Sequence, residues 1–376
     1  MERVQCKSRR IIEERITLSR REYGAKSSSR PTEKHPITVT ITNNSASPWA
    51  TSIEQIAELY KSEYTGAVTT RTSLLEGFAE DPSVHQYIYH NGASAATNTA
   101  INTDPKDPST SGASTLNTLG YSPFTLSEYL GHINEIVGQR HLGTSITTTK
   151  KPFILSVTGT ADEIAMAYAL IANAAEMDED LRLCMEVNLS CPNIHGLPPP
   201  AYDPTQLAEY LEAISDSKAT YRGRMTTPDS VPRVGIKLPP YTYTTQFETV
   251  VAKLLAAKSS EPGEGSTIDF VTCTNTLGSS LILNDDLKPA VNSEAGTGIG
   301  GLAGAALHPL ALGNVATIRR LLDQHEDTKN ILVIGVGGVE DHAGVQRMQS
   351  VGAGAVGCAS ALGRFGVNVF KIMSGA

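Results

Sequence analysis

"ILVIGVGGVEDHAGVQRMQSVGAGAVGCAS", residues 331–360, reads as strand, turn, helix and strand. The run 331–338 is apolar and ends in Gly337-Gly338. The segment 342–352 has helical character, and 354–360 is again apolar, ending in Ala359-Ser360. Strands without polar alternation suit a parallel sheet buried on both faces.

The same alternation extends back along the chain. Strand-like runs lie at 37–43, 66–72, 152–159, 183–190, 233–239 and 269–275. Helices fall between them. Ile53, Ile56, Ala57 and Tyr60 share one helical face behind Ser52 and Gln55, a capping-box pair. Thr160 with Glu163 repeats that signature, and Asp203-Pro204 is an N-cap followed by a first-turn proline. Phe247, Val250, Val251, Leu254 and Leu255 form another stripe, and 309–322 a further helix. Eight strands with interposed helices predict an α/β fold, a (β/α)8 TIM barrel of parallel strands over 36–376. A doubly wound open sheet is the alternative, but no GxGxxG follows the first strand. Residues 1–35 are expected to be a disordered or weakly helical extension. They carry too many acids for a mitochondrial presequence and no apolar core for a secretory signal. Residues 91–115 read as a polar surface loop, 216–232 as a polar spacer, and 279–301 as a hairpin excursion.

Composition narrows the function classes. The net charge of −8 argues against nucleic acid as a partner. No apolar run is long enough to span a membrane. The five cysteines form no CxxC and, with the nine histidines, no metal-ligand spacing, so no metal is expected. Lone thiols fit a reducing compartment.

Barrel active sites lie at the C-terminal ends of the strands. The second strand ends at Arg71. The fourth ends at Asn188 and runs into Cys191 and Asn193 within "EVNLSCPNIHG" (186–196). The fifth ends at Lys237, the sixth at Asn275, the seventh in Val336-Gly337-Gly338 and the eighth in Ala359-Ser360. The suspicious polar groups therefore share one end. The last two turns present backbone N–H groups suited to a phosphate, so a phosphorylated cofactor or substrate is expected. Cys184, Cys273 and Cys358 read as small buried apolar residues. Cys191 follows its strand in a turn and is equally a packing residue or a functional thiol. Lys237 at a buried strand end needs an anion or an electron-rich acceptor. Asn117 in "STLNTLGYSP" is either a turn or a site residue, and His195 reads as an exposed loop residue.

At "EVNLSCPNIHG" the sequence resembles the dihydroorotate dehydrogenases, most closely the cytosolic, fumarate-using class 1A type in a fungal-like variant. The resemblance extends through "GIKLPPY", "TNTLGSSL", "GIGGLAGAALHPLALGNV" and 333–362. "NSASPWA", "GAVTTRTSLLEG" and "NTLGYSP" match upstream in order. It implies FMN as cofactor, with its phosphate on Gly337-Gly338 and Ala359-Ser360. Ala46, Ser47 and Val336 would lie beside it, with Gly304 in a glycine-rich turn and Lys237 against the ring. It further implies Asn117, Leu119, Gly120, Asn188, Asn193, Asn275 and Thr276 as substrate contacts, with Arg71 among them. Cys191 would be the base that removes the C5 proton of dihydroorotate while hydride leaves C6 for flavin N5, giving orotate. Fumarate as electron acceptor, pyrimidine biosynthesis, a cytoplasmic location and a homodimer come with it.

Arg71 stands where the family has lysine, and Ala359-Ser360 where Gly-Thr is usual. Arg71 keeps open a second substrate reading, another dihydropyrimidine or an activated alkene. The unfamiliar chain ends keep open a non-catalytic paralogue. Class 2 relatives use serine as the base, and Cys191 argues against that class.

Overall fold

Side chains of a strand alternate between its two faces, so a strand in a closed ring sends every second residue inward. The computed structural model describes residues 41–91, 100–105, 112–141, 150–178, 181–190, 199–224, 231–258 and 265–376. Eight parallel strands make the ring: β1 (Ile41–Asn44), β2 (Val68–Thr69), β5 (Phe153–Val157), β6 (Leu183–Asn188), β7 (Arg233–Leu238), β8 (Phe270–Cys273), β11 (Leu332–Val336) and β12 (Ala355–Cys358). From β5 onward each pairs with its predecessor in the ring, and β12 pairs with β1 from Ile41↔Ala355 to Asn44↔Cys358. The doubly wound alternative is thereby excluded.

Closure between β1 and β2 is thin. One bridge, Asn43↔Ala67, joins them. The Gly66 N–H donates to the Thr42 carbonyl at 2.7 Å. The fully buried Asn44 side chain completes the seam, donating to the Thr69 carbonyl at 2.5 Å and accepting from the Thr69 N–H at 2.9 Å.

Outward strand residues such as Leu155, Val187, Ile236 and Val333 pack under a shell of helices: α1 (Ile53–Lys61), α2 (Leu126–His141), α3 (Ala161–Met177), α4 (Pro204–Arg222), α5 (Thr244–Ala256), α6 (His308–Leu322), α7 (His342–Ser350), α8 (Ser360–Phe365) and α9 (Val369–Ser374). The capping boxes at Ser52/Gln55 and Thr160/Glu163 form as expected, and Asp203 caps α4. α2 was not anticipated, although Leu126, Tyr129, Ile133, Ile136 and Val137 are spaced for one face. Among the described residues no helix is long and apolar enough to cross a membrane.

Inward residues grade in polarity along the strands. Ile154, Phe270, Ile334 and Ala355 fill the N-terminal half. Gly235 makes room there, since a Cβ would sit 2.2 Å from the Phe270 ring. Ser156, Glu186, Thr272, Lys237 and Asn188 follow toward the C-terminal mouth, all buried.

Across that mouth lies a second, antiparallel sheet in the order β3 (Tyr87–His90), β4 (Ser114–Asn117), β10 (Gly300–Gly304) and β9 (Leu277–Ser280). β9 and β10 are the excursion expected at 279–301. The surface-loop reading of 91–115 needs correction at its end. Ser114 and Thr115 are buried strand residues, held between Tyr89-His90 and Ala303-Gly304. The spacer reading of 216–232 also fails at its start, because α4 continues to Arg222. The expected extension 1–35 and residues 37–40 of the first strand-like run lie outside the described residues.

Replacing Asn44 with Ala leaves the Thr69 N–H and C=O unpaired in the seam. The expected loss is on the order of 2–6 kcal/mol, from two buried backbone groups at about 1–3 each. Urea unfolding should show a lower midpoint with an unchanged slope.

Candidate active site

The two turns that end the barrel are shaped by glycine. Gly337 and Gly338 have φ of 137° and 67°, and Gly304 on the covering sheet has 72°. A Cβ on Gly338 would meet the Gly304 carbonyl at 2.6 Å, and one on Gly304 the Ala113 carbonyl at 2.3 Å. Backbone thus approaches backbone, as a side chain would forbid. His308 braces the turn. Arg347 Nε donates to His308 Nε2 at 2.9 Å, so the ring proton sits on Nδ1 and is donated to the Gly337 carbonyl at 2.7 Å.

These turns border an open cleft. Ala46, Lys237, Asn275, Thr276, Gly304, Val336, Gly337, Gly338, Ala359 and Ser360 line it, as does Ser45. Eight of the nine residues expected to hold a cofactor or its phosphate therefore stand together, beside the substrate candidates Asn275 and Thr276. The ninth, Ser47, is buried one residue from Ala46. Lys237 is almost wholly buried and donates to Ser45 Oγ at 3.0 Å. Ser360 is engaged through its hydroxyl by Thr115 at 2.6 Å. Two buried hydroxyls, Ser47 Oγ and Thr274 Oγ1, have no hydrogen-bond partner among the described residues. Such groups are costly unless something satisfies them. Thr274, Ser45 and Glu340 are lining residues that the sequence reading missed. Ser45 and Thr274 flank residues it did select. Glu340, a carboxylate beside the turns, is neutralised by Arg364 at 2.6 Å.

The amides gather beside this cleft. Asn188 Oδ1 accepts from Asn275 Nδ2 at 3.1 Å and from Ser190 Oγ at 2.8 Å, and Ser190 Oγ also contacts Asn275 Nδ2. The Thr276 N–H donates to Asn275 Oδ1 at 2.8 Å. Asn117 ends β4 and donates to the Gly301 carbonyl at 3.1 Å, which resolves it as a strand-end residue rather than a free turn. Half-buried Leu119 and Gly120 follow on the same segment. Arg71 is buried and already occupied: Nη2 donates to Glu80 Oε1 at 2.8 Å and to the Gly120 carbonyl at 3.2 Å.

Cys191, Asn193 and His195 lie outside the described residues. Cys273 and Cys358 are buried as expected, whereas Cys184 is half-buried at the edge of the inner core. Burial pushes the Cys273 and Cys358 thiols up to about 12 and the Cys184 thiol up to about 11. None of these three is a base near neutrality.

A family model described as dihydroorotate dehydrogenase matches residues 88–374. The chain belongs to the dihydroorotate dehydrogenase family. A dihydroorotate dehydrogenase (fumarate) of Trypanosoma cruzi (strain CL Brener) is 31% identical over 223 residues, covering 59% of this chain and 62% of that protein. Its namesake in Trypanosoma brucei brucei (strain 927/4 GUTat10.1) is 29% identical over 208 residues, covering 55% and 56%. The chain thus matches these curated relatives over about three-fifths of their length or less. A crystal structure of a dihydroorotate dehydrogenase from Eimeria tenella in complex with ferulenol superposes with a TM-score of 0.62. It has 14% identity and covers 96% of this chain and 88% of that one. That likeness bears on the barrel fold alone.

Within this dihydroorotate dehydrogenase family member, the tight turn gives a direct test. Gly338→Ala combines a positive φ with contacts at 2.6 and 2.7 Å to Gly304 and His308. It should lower stability by about 1–3 kcal/mol. Gly131→Ala, on α2 with nothing within 4 Å of the new Cβ, should instead raise it by about 0.4–1 kcal/mol. Paired urea titrations check both signs.

Proposed function

We propose that this protein is an FMN-dependent dihydroorotate dehydrogenase that oxidises (S)-dihydroorotate to orotate in de novo pyrimidine biosynthesis, with fumarate as electron acceptor. One observation carries the reading: the Asn188–Asn275–Thr276 amide cluster adjoins a glycine-bordered cleft that also holds a buried lysine. The cleft fits FMN chemically. Its glycine turns leave room for a phosphate against backbone, its lysine supplies the cation, and Ser47 and Thr274 offer unused buried hydroxyls.

In this reading Gly337, Gly338, Ala359 and Ser360 hold the phosphate through backbone N–H groups. Gly304 and Val336 shape the walls, with Ala46 and Ser47 opposite. Lys237 offers a positive charge beside the ring, where negative charge is to be offset. Bound FMN would supply the two-electron acceptor for the hydrogen leaving C6. Asn117, Leu119, Gly120, Asn188, Asn193, Asn275 and Thr276 orient the substrate. Asparagine pairs with both donors and acceptors of a pyrimidine ring and discriminates against rings that lack them. Cys191 removes the C5 proton as general base. A cytoplasmic homodimer completes the proposal. Exposed Leu281, Leu287 and Ile299 on the β9–β10 excursion give a second copy an apolar surface to cover.

One observation favours a second substrate reading. Arg71 is paired with Glu80, so a substrate carboxylate meets a competitor at that cation. A dihydropyrimidine without a carboxylate, or an activated alkene, would meet none.

Protein purified or reconstituted with FMN should be yellow, absorbing near roughly 450 nm. Anaerobic dihydroorotate should bleach it. A colourless protein that takes up no FMN favours a non-catalytic paralogue, whereas colour that persists with dihydroorotate favours the second substrate reading. Cys191→Ala should keep FMN and slow bleaching about 10²–10⁴-fold, the usual share of a general base. Because the thiolate is the active form and an ordinary thiol ionises near about 8.5, the bleaching rate should rise with pH and level off above that value. A flat profile would remove Cys191 from the mechanism.

A further inference from the structure

We propose that Glu186 is a positioning residue that helps hold the Asn188 amide in its orientation, acting through the hydroxyls of Ser156 and Thr72. The inference rests on the pyrimidine reading of the amide cluster. The oxygen and nitrogen of an asparagine side chain are nearly equal in shape, so packing alone does not choose between its two orientations. Hydrogen bonding does: the Ser190 N–H donates to Asn188 Oδ1 at 3.3 Å on one side, and a buried carboxylate reaches the NH2 on the other.

Glu186 and Asn188 are two residues apart on β6, so both point into the barrel. Glu186 is 3% exposed. Thr272 Oγ1 donates to its Oε2 at 2.6 Å and Ser156 Oγ to its Oε1 at 3.4 Å. A carboxylate only accepts. Ser156 therefore gives its single proton to Glu186 and must accept from Thr72, 2.9 Å away. Thr72, its own proton committed, must accept from Asn188 Nδ2 at 3.5 Å. With its NH2 held there, Asn188 presents Oδ1 to Asn275 Nδ2 and Ser190. Asn275 is held in the matching orientation by the Thr276 N–H, which donates to its Oδ1. The polarity of the chain runs from a buried carboxylate to two amides at the mouth.

Glutamine at 186 keeps an oxygen for Thr272 but offers Ser156 an NH2. Every link can then reverse, and Asn188 turns its NH2 toward the NH2 of Asn275. Glu186 touches neither substrate nor cofactor in this scheme, so its effect has to pass through the hydroxyls.

The test is orotate affinity of the FMN-loaded full chain, measured by calorimetry. Glu186→Gln should weaken orotate binding about tenfold while FMN content and thermal midpoint are kept. On a Ser156→Ala background, where the chain is cut, the same change should alter affinity by less than about twofold. If Glu186→Gln does not fold, Thr72→Val carries the test, with a loss of about tenfold expected and FMN retained. Unchanged affinity in Glu186→Gln or Thr72→Val overturns the inference. So does a full tenfold loss on the Ser156→Ala background, since Glu186 would then act without the hydroxyls. Failure of the unaltered protein to bind orotate overturns the substrate reading, and this inference with it.

Discussion

Closing eight parallel strands into a ring is the constraint on which the rest of this molecule depends. Closure gives every strand an inner face that no helix can cover and solvent reaches only at the ends. The ring fills its lower half with Ile154, Phe270, Ile334 and Ala355, and reserves polarity for the upper half. The last join is made by a side chain as much as by backbone. Asn44 replaces the missing ladder between β1 and β2 by pairing both polar groups of Thr69.

Polarity inside the ring is affordable only when each group is satisfied. Glu186, Ser156, Thr72 and Thr272 satisfy one another, and the chain they form ends at Asn188. The same requirement explains the Arg71–Glu80 and Glu340–Arg364 pairs, which neutralise charge around the mouth. Against that background, the unpartnered hydroxyls of Ser47 and Thr274 stand out as groups with capacity for something bound. The covering sheet brings Gly304 to within contact of Gly338, so the cleft is bordered by backbone from two different sheets.

Much of this was readable beforehand, where the signal is local. Capping boxes at Ser52 and Thr160 and the Asp203 cap need only residues within one turn, and all three form. Parallel strands buried on both faces announce themselves by unbroken apolar runs. The strands of the covering sheet do not. Ser114–Asn117, Leu277–Ser280 and Gly300–Gly304 are short and rich in small or polar residues, with no period to detect. They are strands because partners far away in the chain lie beside them, and so the end of a seemingly irregular insert turned out to be buried sheet. α2 is a different case, since Leu126, Tyr129, Ile133, Ile136 and Val137 carry a helical spacing in the sequence itself.

By itself the sequence determined the strand-and-helix alternation, the glycine turns and the set of polar residues at strand ends. Each follows from local backbone preference, or from the rule that a strand end faces the mouth. The tertiary structure alone decided which partners those polar groups meet. It tied Arg71 to Glu80, stood Lys237 against Ser45, and joined Asn188 to Asn275 across 87 positions of chain. Hydrogen-bond partners are set by distances in space, and no spacing along a chain encodes whether a charge finds its neutraliser within the molecule or must find it in a ligand.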